Sequence, residues 1–164
     1  MSSRVAAALH EEHLATVAFL DRLLETIDKV GAHRPAATDG VLARSLREAA
    51  SALGEELGRH FDFEEKPLFE RLADDGEEEI VAQLLGEHAA IRPIAAKLSA
   101  IAAAVLESGF TDTSWIEYRT VAAGLCALLR AHIEIEERML LPLLEESLDA
   151  DADARLHAEY AGNL

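Results

Sequence analysis

Along most of the chain apolar residues recur every three or four positions, and short polar breaks rich in Gly, Pro and Asp separate these stretches. That period matches the 3.6-residue turn of an α-helix and gives each stretch one apolar face. It predicts four long helices, from about Ser3 to Val30, Val41 to Ala73, Glu77 to Ser108 and Ser114 to Ser147. The breaks are GAHRPAATDG at 31–40, Asp74-Asp75-Gly76, and the stretch from Ser108-Gly109 to Ser114. Ser114 with Glu117 three residues on reads as a capping box opening the fourth helix. The terminal DADARLHAEYAGNL is expected to add a helical turn or two. Short loops between long helices imply antiparallel neighbours. The expected fold is therefore all-α: an antiparallel up-down-up-down four-helix bundle over 3–147 with a short C-terminal helical tail over 148–164, in one domain spanning 1–164. Pro67 and Pro93 fall inside helices, where each should kink the axis or mark a boundary.

The seams carry polar residues where leucines belong. In the first helix the seam is Ala6, His10, His13, Val17, Leu20, Leu24, Ile27, and in the second Leu46, Ala50, Leu53, Leu57, His60, Glu64, Leu68. In the third it is Val81, Leu84, His88, Ile91 or Arg92, Ala95, Leu98. In the fourth it is Val121, Leu125, Leu128, His132, Ile135 or Glu136, Met139, Leu143. Two of these segments are copies of one pattern: HFDFEEKPLFERL at 60–72 and HIEIEERMLLPLL at 132–144. His60 and Glu64 recur as His132 and Glu136, and His and Glu four apart on a helix point the same way. Counting outward from Gly76 and Asp112 as hairpin centres places His60, His132 and Arg92 in one layer. Glu64, Glu136 and His88 fall in the next, about 5.4 Å away. Helix 1 offers His10 and His13, and the irregular 31–40 loop leaves the level between them open.

Charge narrows the function. There are 31 acids against 15 bases, a formal net charge of −16. With no basic stripe, phosphate-neutralising contact with nucleic acid is excluded as a function class and anionic membranes are disfavoured. No uninterrupted apolar run approaches a membrane span, and the N-terminus lacks the apolar core of a secretory signal. The single cysteine, Cys126, permits no intrachain disulfide, which fits a cytoplasmic location. Part of the acidity is expected inside the fold, because carboxylates around a cation do not count at face value.

Buried imidazole and carboxylate are costly unless paired or metal-bound. Two matched pairs on apolar seams, level with a third His, point to metal. Imidazole with carboxylate suits iron and equally manganese or zinc. A closed zinc site needs four ligands, so six in two layers argue for two ions. Phe63, Ile91 and Ile135, each three residues after a His, are expected to wall the site.

With these residues in view the chain resembles the hemerythrin-like family, the HHE cation-binding domain, over about residues 3–147. The pattern is His13, His60-x3-Glu64, His88-x3-Arg92 and His132-x3-Glu136. The resemblance implies an antiparallel four-helix bundle around two non-haem iron ions with an oxo or hydroxo bridge. It makes Glu64 and Glu136 bridging ligands and His13, His60, His88 and His132 terminal ones. The family's helix-1 pattern, with a Leu four before the His and apolar residues four and seven after, fits Leu9, Val17 and Leu20 around His13, so the resemblance favours His13 over His10. Arg92 stands where oxygen carriers of the family have a further His, and a guanidinium is no ordinary iron ligand. That departure turns the expectation from reversible oxygen carriage towards binding of, or reaction with, O2, peroxide or nitric oxide, as a catalase- or peroxidase-like oxidoreductase or as a non-enzymatic sensor. Arg92 is expected to stabilise a bound anion near the metals. A ferritin-type store is disfavoured, since no Glu-x-x-His occurs. Glu65, Glu137 and Glu77-Glu78-Glu79 read as solvated charges, His33 and His157 as surface, Trp115 and Tyr118 as a bundle-end cap, and Cys126 as a small buried hydrophobe.

Overall fold

In a computed structural model describing residues 3–162, the chain is helical throughout, with no strand among the described residues. Met1, Ser2 and the last two residues of the expected tail, Asn163 and Leu164, lie outside those described. Five helices follow one another: α1 Arg4–Val30, α2 over 40–74, α3 Glu78–Ser108, α4 over 112–147 and α5 Ala150–Gly162. The described residues fall into two compact units. One takes the chain through Val17, Arg59–Ala89 and the chain from Arg130 on; the other takes Ala18–Gly58 and Ala90–Leu129.

Three short segments inside α2 and α4 are wound wider than an α-helix: Ala52–Glu56, Glu64–Leu68 and Glu136–Leu140. In each, a carbonyl accepts from the N–H five residues on: Ala52 from Leu57, Glu64 from Phe69, Glu136 from Leu141. Such turns concentrate at functional sites, and here two of them begin at the repeated Glu. Their geometric role can be read from the seam. Residues four apart drift by about 40° per step on an ideal α-helix. A wider turn slows that drift, so His132, Glu136, Leu140 and Leu144 all stay buried. This corrects the expected fourth seam: Met139 and Leu128 are exposed, and Leu140 and Leu129 are buried. Pro67 lies within the second wide turn. Pro93, by contrast, sits inside the unbroken α3.

Helix starts and stops follow local chemistry. The opening of α4 differs from expectation: it begins at Asp112, and the reciprocal cap is Thr111 with Ser114. The Thr111 N–H donates to Ser114 Oγ at 2.9 Å, and the Ser114 N–H donates to Thr111 Oγ1 at 3.0 Å. Glu117 instead pairs with Lys97 at 2.8 Å. Gly76 and Gly109 end α2 and α3 with φ of 96° and 76°, a conformation only glycine adopts freely. The tail is longer than expected. α5 spans 13 residues, and its Asp149 caps it by accepting from the Ala152 N–H at 2.7 Å.

The first unit has an apolar cluster built from Val5, Leu9, Phe69, Leu72, Leu84, Leu144 and the α5 residue Leu156, among others. α5 is tied to the start of α1 by Asp153, a buried carboxylate. It accepts from Ser3 Oγ at 2.6 Å and from the N–H groups of Arg4 and Val5 at 3.0 and 3.1 Å. In the second unit Trp115 and Tyr118 are buried with Phe110, and the Trp115 indole N–H donates to the Gly31 carbonyl at 3.1 Å. Cys126 is buried there too. One helix among those described, Glu78–Ser108, is long and apolar enough to cross a bilayer by length and composition alone. Alanines supply that character, and Arg92 and Lys97 interrupt it.

Candidate metal centre

The polar positions of the first unit converge. α1 contributes His13, α2 His60 and Glu64, α3 His88, and α4 His132 and Glu136. His60 is nearly buried, and the other five are buried outright. Two quartets form, each with its donor atoms within 4.8 Å of one another: His13, His60, Glu64, Glu136, and Glu64, His88, His132, Glu136. The two carboxylates belong to both quartets, and each quartet adds two imidazoles of its own.

All four imidazoles turn Nε2 inward. His13 Nε2 is 3.0 Å from Glu136 and His60 Nε2 is 3.3 Å from Glu64. His132 Nε2 is 3.0 Å from Glu136, and His88 Nε2 lies 3.3 Å from Glu64 and 3.8 Å from Glu136. Yet His13 Nε2 and all four carboxylate oxygens of Glu64 and Glu136 are buried without a hydrogen bond. The nitrogens approach these oxygens off the line a hydrogen bond needs. An orphaned buried polar atom costs about 1–3 kcal/mol, more when charged. Five together, aimed at one another, form a donor set suited to a cation.

The electrostatics ask for positive charge in the same place. Burial disfavours the ionised form of Glu136, but His13, His132 and His88 hold it well below the usual carboxylate range. Glu64 is lowered against both burial and the neighbouring Glu136, by His60. In turn, burial opposes protonating His88, yet Glu136 and Glu64 raise it to about 9. His60 is driven well above its ordinary value against the opposing effect of burial, chiefly by Glu64.

A second layer escaped the sequence reading. The outward nitrogen of every imidazole meets a carboxylate from another helix. Glu12 on α1 meets His60 Nδ1 at 2.5 Å, and Glu65 on α2 meets His88 Nδ1 at 2.9 Å. Glu87 on α3 meets His132 Nδ1 at 2.7 Å, and Glu137 on α4 meets His13 Nδ1 at 2.6 Å. The contacts run α1 to α2 to α3 to α4 and back to α1, a closed cycle. Glu65 and Glu137 are thus corrected from solvated charges to imidazole partners. Each of the four neighbours an inner residue in sequence, which is the signal that was available: a turn of one residue, about 100°, carries a side chain from the centre to the adjoining helix.

The wall residues also differ from expectation. Phe61 stacks on His88 with ring centroids 3.7 Å apart and meets His132 edge-on at 5.5 Å, and Phe69 lies 5.6 Å from His88. Phe63 packs against Tyr160 of α5 instead, while Ile135 packs against the apolar cluster. His10 is outside both quartets. It is exposed and shares Glu137 with His13, at 3.0 Å. Of the two helix-1 candidates, the structure brings in His13. Arg92 and Ile91 belong to the other unit, Arg92 partly buried and Ile91 buried.

The hemerythrin HHE cation-binding domain model matches residues 4–157, nearly the whole chain. The chain belongs to that family. No curated protein and no solved structure gives a match. Membership in a cation-binding family agrees with the donor set: buried His and Glu groups that can hold metal, iron being the family's typical ion.

Proposed function

We propose that this hemerythrin-like chain holds two non-haem iron ions and binds or reacts with O2, peroxide or nitric oxide, in a four-helix bundle of up-down-up-down order with α5 as its tail. His13 and His60 would serve one ion, His88 and His132 the other, and Glu64 and Glu136 both. The carrying observation is the set of buried Glu64 and Glu136 oxygens without hydrogen bonds, each carboxylate shared by two quartets. Manganese and zinc suit the same side chains. Two irons would supply Lewis acidity and redox capacity.

The protein's own part is positioning and exclusion. Four imidazoles present Nε2 inward because four carboxylates take Nδ1 outward, fixing one tautomer. Phe61 and Phe69 put aromatic faces and edges beside His88, where water would otherwise compete. Each quartet offers four donors, fewer than the six of an octahedral ion, so room is left for a small exogenous ligand. The reading places the protein in the cytoplasm, acting on small molecules without nucleic acid or membrane.

Elemental analysis of the full chain, purified without chelators, should find two metal ions per chain, predominantly iron. The iron-loaded protein should consume peroxide faster than an equal amount of free iron. Absence of bound metal would overturn the metal reading; two irons with no peroxide turnover would leave a binding or sensing role in place of catalysis.

A further inference from the structure

The cycle of Glu12, Glu65, Glu87 and Glu137 is more charge than orientation alone requires. A neutral acceptor such as a backbone carbonyl fixes a histidine tautomer equally well. Here all four imidazoles instead receive a carboxylate at 2.5–2.9 Å, every one from a different helix from its own. These side chains are 27–31% exposed, so their charge is only partly screened. Two inner and four outer carboxylates give six negative charges around the centre. With neutral imidazoles, two divalent ions leave the assembly at −2, and two trivalent ions bring it to zero.

We propose that Glu12, Glu65, Glu87 and Glu137 are positioning residues that bias the bound ions towards their higher oxidation state, acting through the four imidazoles. The inference rests on the metal-pair reading above. A carboxylate accepting from Nδ1–H draws that proton outward and makes Nε2 a stronger donor. The Coulomb gain scales with ionic charge, so it favours a ferric over a ferrous ion at the same site. The carboxylates have other partners too: Glu137 contacts the exposed His10, Glu12 faces Tyr160, and Glu87 accepts from Gln83 Nε2 at 3.1 Å.

The test uses the full chain loaded with iron, and Glu→Gln variants at each position, in a spectroelectrochemical titration of the one-electron Fe(III)/Fe(II) couple. Gln keeps an oxygen that can accept from Nδ1–H but removes the charge. We expect each variant that folds to lose roughly tenfold in ferric-over-ferrous preference, raising the midpoint potential by about 59 mV for one electron. Zinc(II) stoichiometry, measured in parallel, should stay at the wild-type value. Potentials unchanged in all four variants, with zinc still bound, would overturn the proposal and leave the metal pair standing. Loss of zinc along with the charge would also overturn it, showing that the ring only holds the ligands. A wild-type chain that takes up neither iron nor zinc would remove the metal-pair reading and this inference with it.

Discussion

Replacing Asp153 with alanine should loosen the start of α1 from α5, and the cost can be worked from the contacts. Helix starts leave four N–H groups without partners. Ser3 serves one, its Oγ accepting from Ala6 N–H at 3.1 Å, and Asp153 serves those of Arg4 and Val5 while accepting from the Ser3 hydroxyl. Asp153 is 6% exposed, so water cannot fully replace it. Removing a capping side chain costs about 0.5–2 kcal/mol, and a charge-assisted hydrogen bond contributes about 1.5–3 kcal/mol. Since two backbone donors are stranded, the total should be ~2–4 kcal/mol, or roughly a hundredfold in the folding equilibrium. Asp153→Asn, keeping one acceptor, should lose about half. The assay is urea denaturation of the metal-free chain followed by far-UV circular dichroism, with amide exchange at Arg4 and Val5 as the local readout. A pH dependence accompanies it. The Ser3 hydroxyl and the Arg4 and Val5 N–H groups overcome the effect of burial and lower Asp153 below its ordinary value. Its contribution is therefore complete above the unfolded pKa, near 3.9, and is lost as pH falls through the lower folded value. Asp153→Asn should flatten that acid limb. A loss below about 0.5 kcal/mol, with unchanged exchange at both amides, would refute the reasoning.

Other consequences are separable by assay. Glu64→Ala or Glu136→Ala, removing a residue common to both quartets, should abolish binding of both ions, whereas His13→Ala or His88→Ala should leave about one per chain by elemental analysis. Phe61→Ala should destabilise the metal-free fold by ~3–5 kcal/mol in thermal or urea unfolding, and should speed metal loss to a chelator. Thr111→Ala removes the cap of α4 and should cost ~1 kcal/mol, with metal content unchanged, since that end lies in the unit without the quartets.

The inner six residues were legible because they sit on the apolar seams, where a polar residue is conspicuous. The repeat doubled the signal, and the family pattern chose His13 where the loop length could not. The outer carboxylates were less conspicuous for the opposite reason. Glu65 and Glu137 stand one residue off the seam, at the helix edge, where an acid usually meets solvent. Only the packing of the next helix turns them into imidazole partners. Phe61 was passed over likewise, since a position one beyond His60 points sideways. The Met139 assignment failed because the seam was counted on a regular α-helix, and wide turns leave no mark in composition; Leu128 and its buried neighbour Leu129 stand in regular helix, where steps of three and four fit the pattern equally. The tail was underestimated because its anchor, Asp153, joins residues about 150 positions apart, beyond any local pattern.

The wide turns after Glu64 and Glu136 also bear on which changes the chain can accept. Each stores the equivalent of an inserted residue without a loop. Deleting one residue from 64–68 would let the segment relax to an ordinary helix, the ~100° lost with one residue matching the rotation that the wide turn absorbs. Leu72, now fully buried, would keep facing the interior, and the rearrangement would stay within the turn itself, around Glu64 and Leu68. Each of these two stretches is therefore a place where the chain can lose one residue while the helix beyond it keeps its face to the interior, at the expense of the carboxylate that begins the turn.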